Sequence, residues 1–326
     1  MEKIRIGTRG SRLALAQARL VQEALIQADA SLKTELVILQ TKGDRILDKP
    51  LAEIGDKGLF ASELEQALLE GKLDLAVHSA KDLPVRLAKG LTIGAVLKRA
   101  DVRDVLVVKK GAPLPEAVGK LPETETDGDA GRRPEPFVLG TGSKRRQAQA
   151  QLCWRNTRCE LIRGNVETRL KKLADGGYDG ILLAKAGLDR LGIGAGTEPA
   201  FDFHVLPAEL FLPAACQGII AVEAAEDSPV RDLLAKITDG ETWLQFQTER
   251  EVLAQLGADC SEAAAAWCRM QQDQLLLDVM YGKERVSLSA KGTGADGIAL
   301  AEAGAANVRK AIFQKGGPDT DAADGV

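Results

Sequence analysis

Aromatic residues are scarce in this 326-residue chain: Phe, Trp and Tyr together make up 4%. Its cores must therefore be assembled from Leu, Ile, Val and Ala, and a hydrophobic content of 45% supplies them. Histidine is limited to His78 and His204, and the five cysteines (Cys153, Cys159, Cys216, Cys260, Cys268) form an odd set without framework spacing. Those counts argue against a metal site and a disulfide scaffold, leaving reduced thiols in the cytoplasm as the expectation. There is no basic excess either. Lys and Arg number 43 against 47 Asp and Glu, a net charge of −4, which speaks against a general nucleic-acid binder. No apolar run is long enough to span a bilayer, so no membrane contact is expected. The stretch Met1–Gly7 lacks the basic start and apolar core of a secretory signal.

What is present is an alternation of short apolar runs and helical patterns. Residues 3–8 read as a buried strand closed by Gly7 and Gly10, and Ser11 is placed to cap a helix over 12–30. Residues 35–40 form a second strand, 59–70 an amphipathic helix ending at Gly71, and 73–78 a third strand that leads into the loop 81–84. Such alternation predicts a largely parallel sheet. The plan then recurs: Leu139-Gly140-Thr141-Gly142-Ser143 echoes Ile6-Gly7-Thr8-Arg9-Gly10-Ser11, each followed by an Ala/Gln-rich helix, and 164–173 and 178–185 echo the later helix and strand. Two related α/β domains facing one another account for the echo; chance recurrence of common βα turn residues is the competing account. From about 241 the pattern changes to a helix and then strands at 274–280 and 285–290, which predicts a small α+β unit. Residues 111–136 and the tail from about 316 are rich in Pro, Gly and acidic residues and read as solvated, disordered segments, with binding tails as the alternative.

Arginines gather where loops meet helix N-termini: Arg9 and Arg12, Arg145 and Arg146, Arg163 and Arg169, with Arg190 further on. Guanidinium groups bind carboxylates bidentately, and helix N-termini add N–H donors and a favourable dipole. Any one of them alone reads as a surface ion pair. Their repeated placement beside glycine-bearing turns points to an oligo-anion cleft. His78-Ser79-Ala80-Lys81-Asp82 leaves the C-terminal end of a strand, where open α/β sheets usually bind ligands. A carboxylate beside Lys81 stays ionised, ready to accept a proton or to stabilise a cation, although the pair taken alone is an ordinary turn. Cys260, in a glycine-bearing turn after the helix that holds Thr248-Glu249-Arg250, reads by itself as a small buried hydrophobe.

Gly-Thr-Arg-Gly-Ser at 7–11, Thr-Lys-Gly-Asp at 41–44, Lys-Gly-Leu-Phe at 57–60, Ala-Val-His-Ser-Ala-Lys-Asp-Leu-Pro at 76–84, Arg-Gly-Asn-Val-Glu-Thr-Arg-Leu at 163–170 and Leu-Pro-Ala-Ala-Cys-Gln-Gly at 212–218 stand in one order over nearly the whole chain. Together they resemble the porphobilinogen deaminases, or hydroxymethylbilane synthases, of tetrapyrrole biosynthesis. The resemblance implies a transferase that joins four porphobilinogen molecules head to tail, with release of ammonia, on a dipyrromethane primer held by a thioether to Cys260. It implies that Asp82 is the catalytic carboxylate, and that Lys81, Thr141, Ser143, Arg145 and Arg146 hold the cofactor. Arg9, Ser11, Arg163, Arg169, Arg190 and Gln217 would bind substrate or the growing chain, and Lys57 and Phe60 would lie on a lid loop.

The implied fold is two doubly wound domains like those of type II solute-binding proteins, plus a small C-terminal α+β domain. Its divisions are 1–105 with 218–238, then 106–217, then 239–326. A cytoplasmic monomer is implied, with porphobilinogen as its small-molecule partner. A non-catalytic two-domain protein that binds anions or pyrroles is the alternative. The chain departs from the family pattern after Cys260, where Ser261-Glu262-Ala263-Ala264-Ala265 lacks the usual proline turn, and at Gly142, Lys144 and Cys216.

Overall fold

Successive side chains of a strand point to opposite sheet faces, so a strand with helices on both sides must be apolar throughout. Leu75-Ala76-Val77 and Ile181-Leu182-Leu183 both have that character, and both occupy the middle of a five-stranded sheet in the computed structural model. The structure describes residues 3–40, 61–115, 135–154, 156–258 and 262–314. The expectations attached to Lys57, Phe60 and Cys260, to most of 111–136 and to the tail from 316 lie outside the described residues.

The first sheet joins β1 (Ile4–Arg9), β2 (Thr34–Leu39), β3 (Leu75–Ser79), β4 (Leu91–Val96) and β10 (Ile220–Ala225) in the order β2-β1-β3-β10-β4. The second joins β5 (Asp104–Lys109), β6 (Phe137–Gly140), β7 (Thr157–Glu160), β8 (Gly180–Ala184) and β9 (Phe201–Val205) in the order β7-β6-β8-β5-β9. The two orders are the same when each sheet is read by position. Its first three strands are parallel, and its fourth, β10 or β5, runs antiparallel to both neighbours. The fourth strand of each sheet is supplied from across a crossing, at 97–103 before β5 and at 206–219 before β10. The two sheets with their helices are doubly wound α/β units of one topology.

The helices follow from local signals. Ser11 caps α1 (Arg12–Ala28), its Oγ accepting the Ala14 N–H at 3.2 Å, and Ser143 caps α3 (Lys144–Cys153) in the same way through Arg146 N–H at 3.4 Å. The internal echo is thus physical: Thr8 and Thr141 are both buried, and Gly7 and Gly140 hold equivalent close-packed positions. A Cβ would lie 2.3 Å from Leu73 at Gly7 and 2.9 Å from Tyr178 at Gly140. Asn165 caps α4 (Val166–Ala174), and α5 (Lys185–Leu191) ends at left-handed Gly192. In the first sheet α2 (Ser62–Leu69) covers one face through Leu64 and Leu68, while α1 and α6 (Arg231–Ile237) cover the other through Val21, Leu25 and Leu234. The helix expected over 59–70 therefore starts at Ser62 among the described residues. Across the two sheets, α1 packs on α5, and Arg12 pairs with Glu167 at 3.0 Å.

The third unit is α+β: α7 (Gly240–Leu256), a meander of β11 (Ala264–Gln271), β12 (Gln274–Tyr281) and β13 (Glu284–Lys291), and α8 (Gly294–Gln314). Ala264, Ala266 and Cys268 face α7 and α8, while Ala265 and Trp267 face Ala208, Leu212 and Val102 at the crossings. The meander therefore docks on the segments that join the two sheets.

Candidate active site

The loop after β3 tightens into a 3-10 turn, Ala80–Asp82, anchored by the Ala80 N–H on Ile219 O at 3.0 Å. Ala80 is buried, so the turn has a fixed base, and Asp82 is left exposed. Arg250 of α7 supports the same segment from below, donating from Nη2 to Pro84 O (2.8 Å) and Val85 O (2.6 Å). Beneath β3, His78 Nε2 lies 2.9 Å from a carboxylate oxygen of fully buried Glu223.

From the second sheet comes a carboxylate that sequence reasoning missed. Asp104 opens β5 with its side chain wholly buried. It accepts from Arg145 Nη2 at 2.8 Å, Arg146 Nη2 at 2.7 Å and Gln217 Nε2 at 2.9 Å. Burial opposes ionisation of Asp104, but the two guanidinium groups outweigh it and hold the carboxyl far below the usual range. Arg145 also donates to Leu212 O, and Arg146 donates to Leu182 O at 2.9 Å. Both arginines are buried, where a surface helix terminus would have left them in solvent. Each keeps a buried Nε with no acceptor among the described residues.

Gln217 ties this cluster to the first sheet. Its amide donates to Val102 O (2.7 Å) and Asp104, and its oxygen accepts from Lys81 Nζ at 3.3 Å. Burial pushes the Lys81 ammonium down to about 8; Asp82 and Asp104 pull it up, while Arg146 and Arg145 push it further down. Burial likewise lowers Arg169 to about 10, with Arg146 and Arg163 adding to the fall and Asp82 opposing it. Asp82 thus stands within electrostatic reach of Lys81 beside it and of Arg169 from the other sheet. The expected ligand hydroxyls are engaged locally: Ser11 and Ser143 cap helices, and Thr141 Oγ1 accepts the Ser143 N–H at 3.2 Å. Each retains its own O–H to donate. Arg169 donates from Nε to Gly164 O at 2.8 Å, and Lys172 Nζ donates to the Arg163 carbonyl at 3.0 Å. Arg9 leaves the end of β1, half-buried. Arg190 takes a different direction, donating to Gly218 O at 2.6 Å at the second crossing, with burial lowering its pKa to about 10.

The crossings are locked to each other and to the third unit. Arg99 forks onto fully buried Glu249 at 2.6 and 3.1 Å and donates from Nε to Gln217 O at 2.9 Å. Glu249 in turn accepts the N–H groups of Cys216 (2.5 Å) and Cys268 (2.7 Å). Cys216 holds a left-handed φ of 61°, and Gly218 follows at φ 88°, where a Cβ would sit 2.6 Å from Ala100 O. Burial raises the Cys216 and Cys268 thiols, Cys268 to about 12, so neither is a ready thiolate. A carboxylate ahead of a buried apolar run, as Asp104 stands before Val105–Val108, was the available signal for the missed residue. Arg99 and Glu249 left no comparable pattern.

Fold and site together define an α/β protein of two like sheets with a cluster of cationic side chains where the two sheets are joined. Residues 4–231 match the family described as "Porphobilinogen deaminase, dipyromethane cofactor binding domain". The chain is 41% identical over 323 residues to the porphobilinogen deaminase of Syntrophomonas wolfei, covering 97% of each chain. It is 37% identical over 328 residues to that of Maridesulfovibrio salexigens, covering 97% of this chain and 100% of that one. With that of Roseiflexus sp. it shares 41% identity over 299 residues, 90% of this chain and 92% of the other. The chain belongs to the porphobilinogen deaminase family. Among the described residues there is no cluster able to hold a metal ion and no helix long and apolar enough to cross a membrane.

Proposed function

We propose that this chain condenses four porphobilinogen molecules head to tail with loss of four ammonia molecules, one water then releasing the tetrapyrrole from its primer as hydroxymethylbilane, with Asp82 as its catalytic carboxylate. The observation that carries the role of Asp82 is its position: exposed on a rigid turn, in electrostatic reach of Lys81 and Arg169. In each cycle the aminomethyl C–N bond of porphobilinogen breaks and ammonia leaves. A C–C bond then forms to the acceptor ring, whose displaced ring proton must be carried off. Positive charge develops on the incoming pyrrole as the amine departs. A preorganised carboxylate lowers the energy of that charge, most of all where water is sparse. The same carboxylate is placed to take up the proton.

A dipyrromethane group, when bound, supplies the acceptor ring and keeps the growing chain on the protein. Its carboxylates fit the donors present, because the Nε groups of Arg145 and Arg146 have no acceptor among the described residues and Lys81 lies in electrostatic reach of both arginines. Cys260 is the residue we assign to its thioether. Arg9, Arg163 and Arg169 are assigned to the acetate and propionate groups of substrate and growing chain, with Arg190 and Gln217 governing the joint between the lobes. Division of the chain at the two crossings, a cytoplasmic location and a monomeric state complete the proposal. The non-catalytic alternative has no observation in its favour.

The test is Asp82→Ala. Because Asp82 is exposed, the variant should fold with an unchanged melting midpoint. Ammonia release and hydroxymethylbilane formation should fall by roughly 100-fold or more, the scale seen when one preorganised electrostatic group is removed. A variant with parental turnover would remove Asp82 from the mechanism.

A further inference from the structure

Lys81, Arg145 and Arg146 converge on a single buried carboxylate. Asp104 receives Arg145 at 2.8 Å and Arg146 at 2.7 Å directly, and Lys81 through the Gln217 amide, whose Nε2 donates to Asp104 at 2.9 Å and whose Oε1 accepts from Lys81 at 3.3 Å. With Arg169 in reach of Arg146, four cations face two carboxylates, Asp82 and Asp104, which leaves the site positive. Charges withdrawn from water are tolerated only when compensated, and removing one member of a buried pair strands the other. We infer that Asp104 is the resident counter-ion of the cofactor cradle, a positioning residue that holds the two arginines folded and compensated until ligand carboxylates share that task. The inference rests on reading the cleft as a dipyrromethane cradle.

Four further observations support it. Asp104 uses both oxygens, one for each arginine, so it fixes their separation as well as their charge. Each arginine has a second anchor on a main-chain carbonyl, Leu212 O for Arg145 and Leu182 O for Arg146, which aligns the guanidinium planes without a ligand. Each guanidinium carries five N–H donors, these contacts engage only its two Nη nitrogens, and each Nε has no acceptor among the described residues. Asp104 also opens β5, the strand that enters the second sheet from the first crossing, so the counter-ion is fixed to the joint and not to a mobile loop. A ligand carboxylate and Asp104 therefore bear on the same cations. Loss of Asp104 should matter most when no ligand is present.

A thermodynamic cycle reads this directly. Asp104→Asn is made in the parent, purified with its cofactor, and in Cys260→Ser, which has no anchor for it. Melting midpoints are compared, and intact mass establishes loading. A counter-ion role predicts a fall of roughly 5 °C or more from Asp104→Asn in the cofactor-free protein, and a clearly smaller fall in the loaded one. Folding of Asp104→Asn only when loaded is the extreme form of the same result. Equal falls in both forms, or a larger fall in the loaded form, would reduce Asp104 to a structural pillar and overturn the inference. Should Asp104→Asn fold in neither background, Asp104→Glu keeps the charge and extends it towards the ligand side. Its loaded fraction should drop below that of the parent, and full loading would overturn the inference. A parent without a two-pyrrole mass increment would refute the underlying reading, whereas a loaded parent with equal falls would refute this inference alone.

Discussion

Lys81 carries a proton that its surroundings barely favour. Burial brings its pKa from 10.5 to about 8, a shift that Asp82 and Asp104 only partly oppose. The native state therefore binds this proton less tightly than the unfolded chain does. Its cost to stability is full below pH 8 and is relieved as pH rises from about 8 towards 10.5. Function runs the other way, because the ammonium is the form that attracts carboxylates. Capture of the dipyrromethane carboxylates by the cofactor-free protein should weaken as pH passes about 8, with an inflection that disappears in Lys81→Met. A pH profile of cofactor loading, read by intact mass on the two proteins, checks this; an inflection that persists in the variant would assign it to another group. The role proposed for Asp82 differs in kind, since it rests on exposure on a fixed turn and not on pairing.

At the scale of elements, α7 acts as the strut between the third unit and the crossings. Glu249 accepts from Arg99, Cys216 and Cys268, which belong to the first crossing, the second crossing and β11. Glu249→Gln removes the charge that compensates buried Arg99, and about 3–5 kcal/mol of stability should go with it. Urea denaturation with an unchanged slope checks the figure; a loss under about 1 kcal/mol would mean that packing alone holds the joint. The elements that sequence reading found share strong local signals: Ser11 and Ser143 as caps, a continuous apolar run in β3, the strand patterns of β12 and β13, and turn glycines between them. Those it missed lack such signals. β11 opens on three alanines, which favour no strand, and is held in register by β12 and the crossings. In α8, Gly297 and Gly304 weaken the helical pattern, yet tertiary contact requires them: a Cβ would lie 2.4 Å from Thr248 Oγ1 at the first and 2.9 Å from Val279 at the second. For the site, motif order was legible, but the partnership of Asp104 with arginines 41 and 42 positions later was not, because no periodicity encodes a contact across β5 and α3.

The whole molecule joins two like sheets through two crossings, and the cluster of Lys81, Gln217 and Asp104 sits at that joint. Gln217 spans it, with Lys81 on one side and Asp104 on the other, and the crossings hydrogen-bond each other through Ala100 N–H and Gly218 O at 3.1 Å. Lys81 and Asp82 come into electrostatic reach of Arg169 because the two sheets are joined there. The central claim is that this joint builds a chain of pyrroles on a primer anchored at Cys260. Intact mass of the purified protein tests it most directly. The account predicts an increment of two pyrrole units on the parent that is absent from Cys260→Ser; an unmodified parent from pyrrole-producing cells, or an increment that survives in Cys260→Ser, would contradict it.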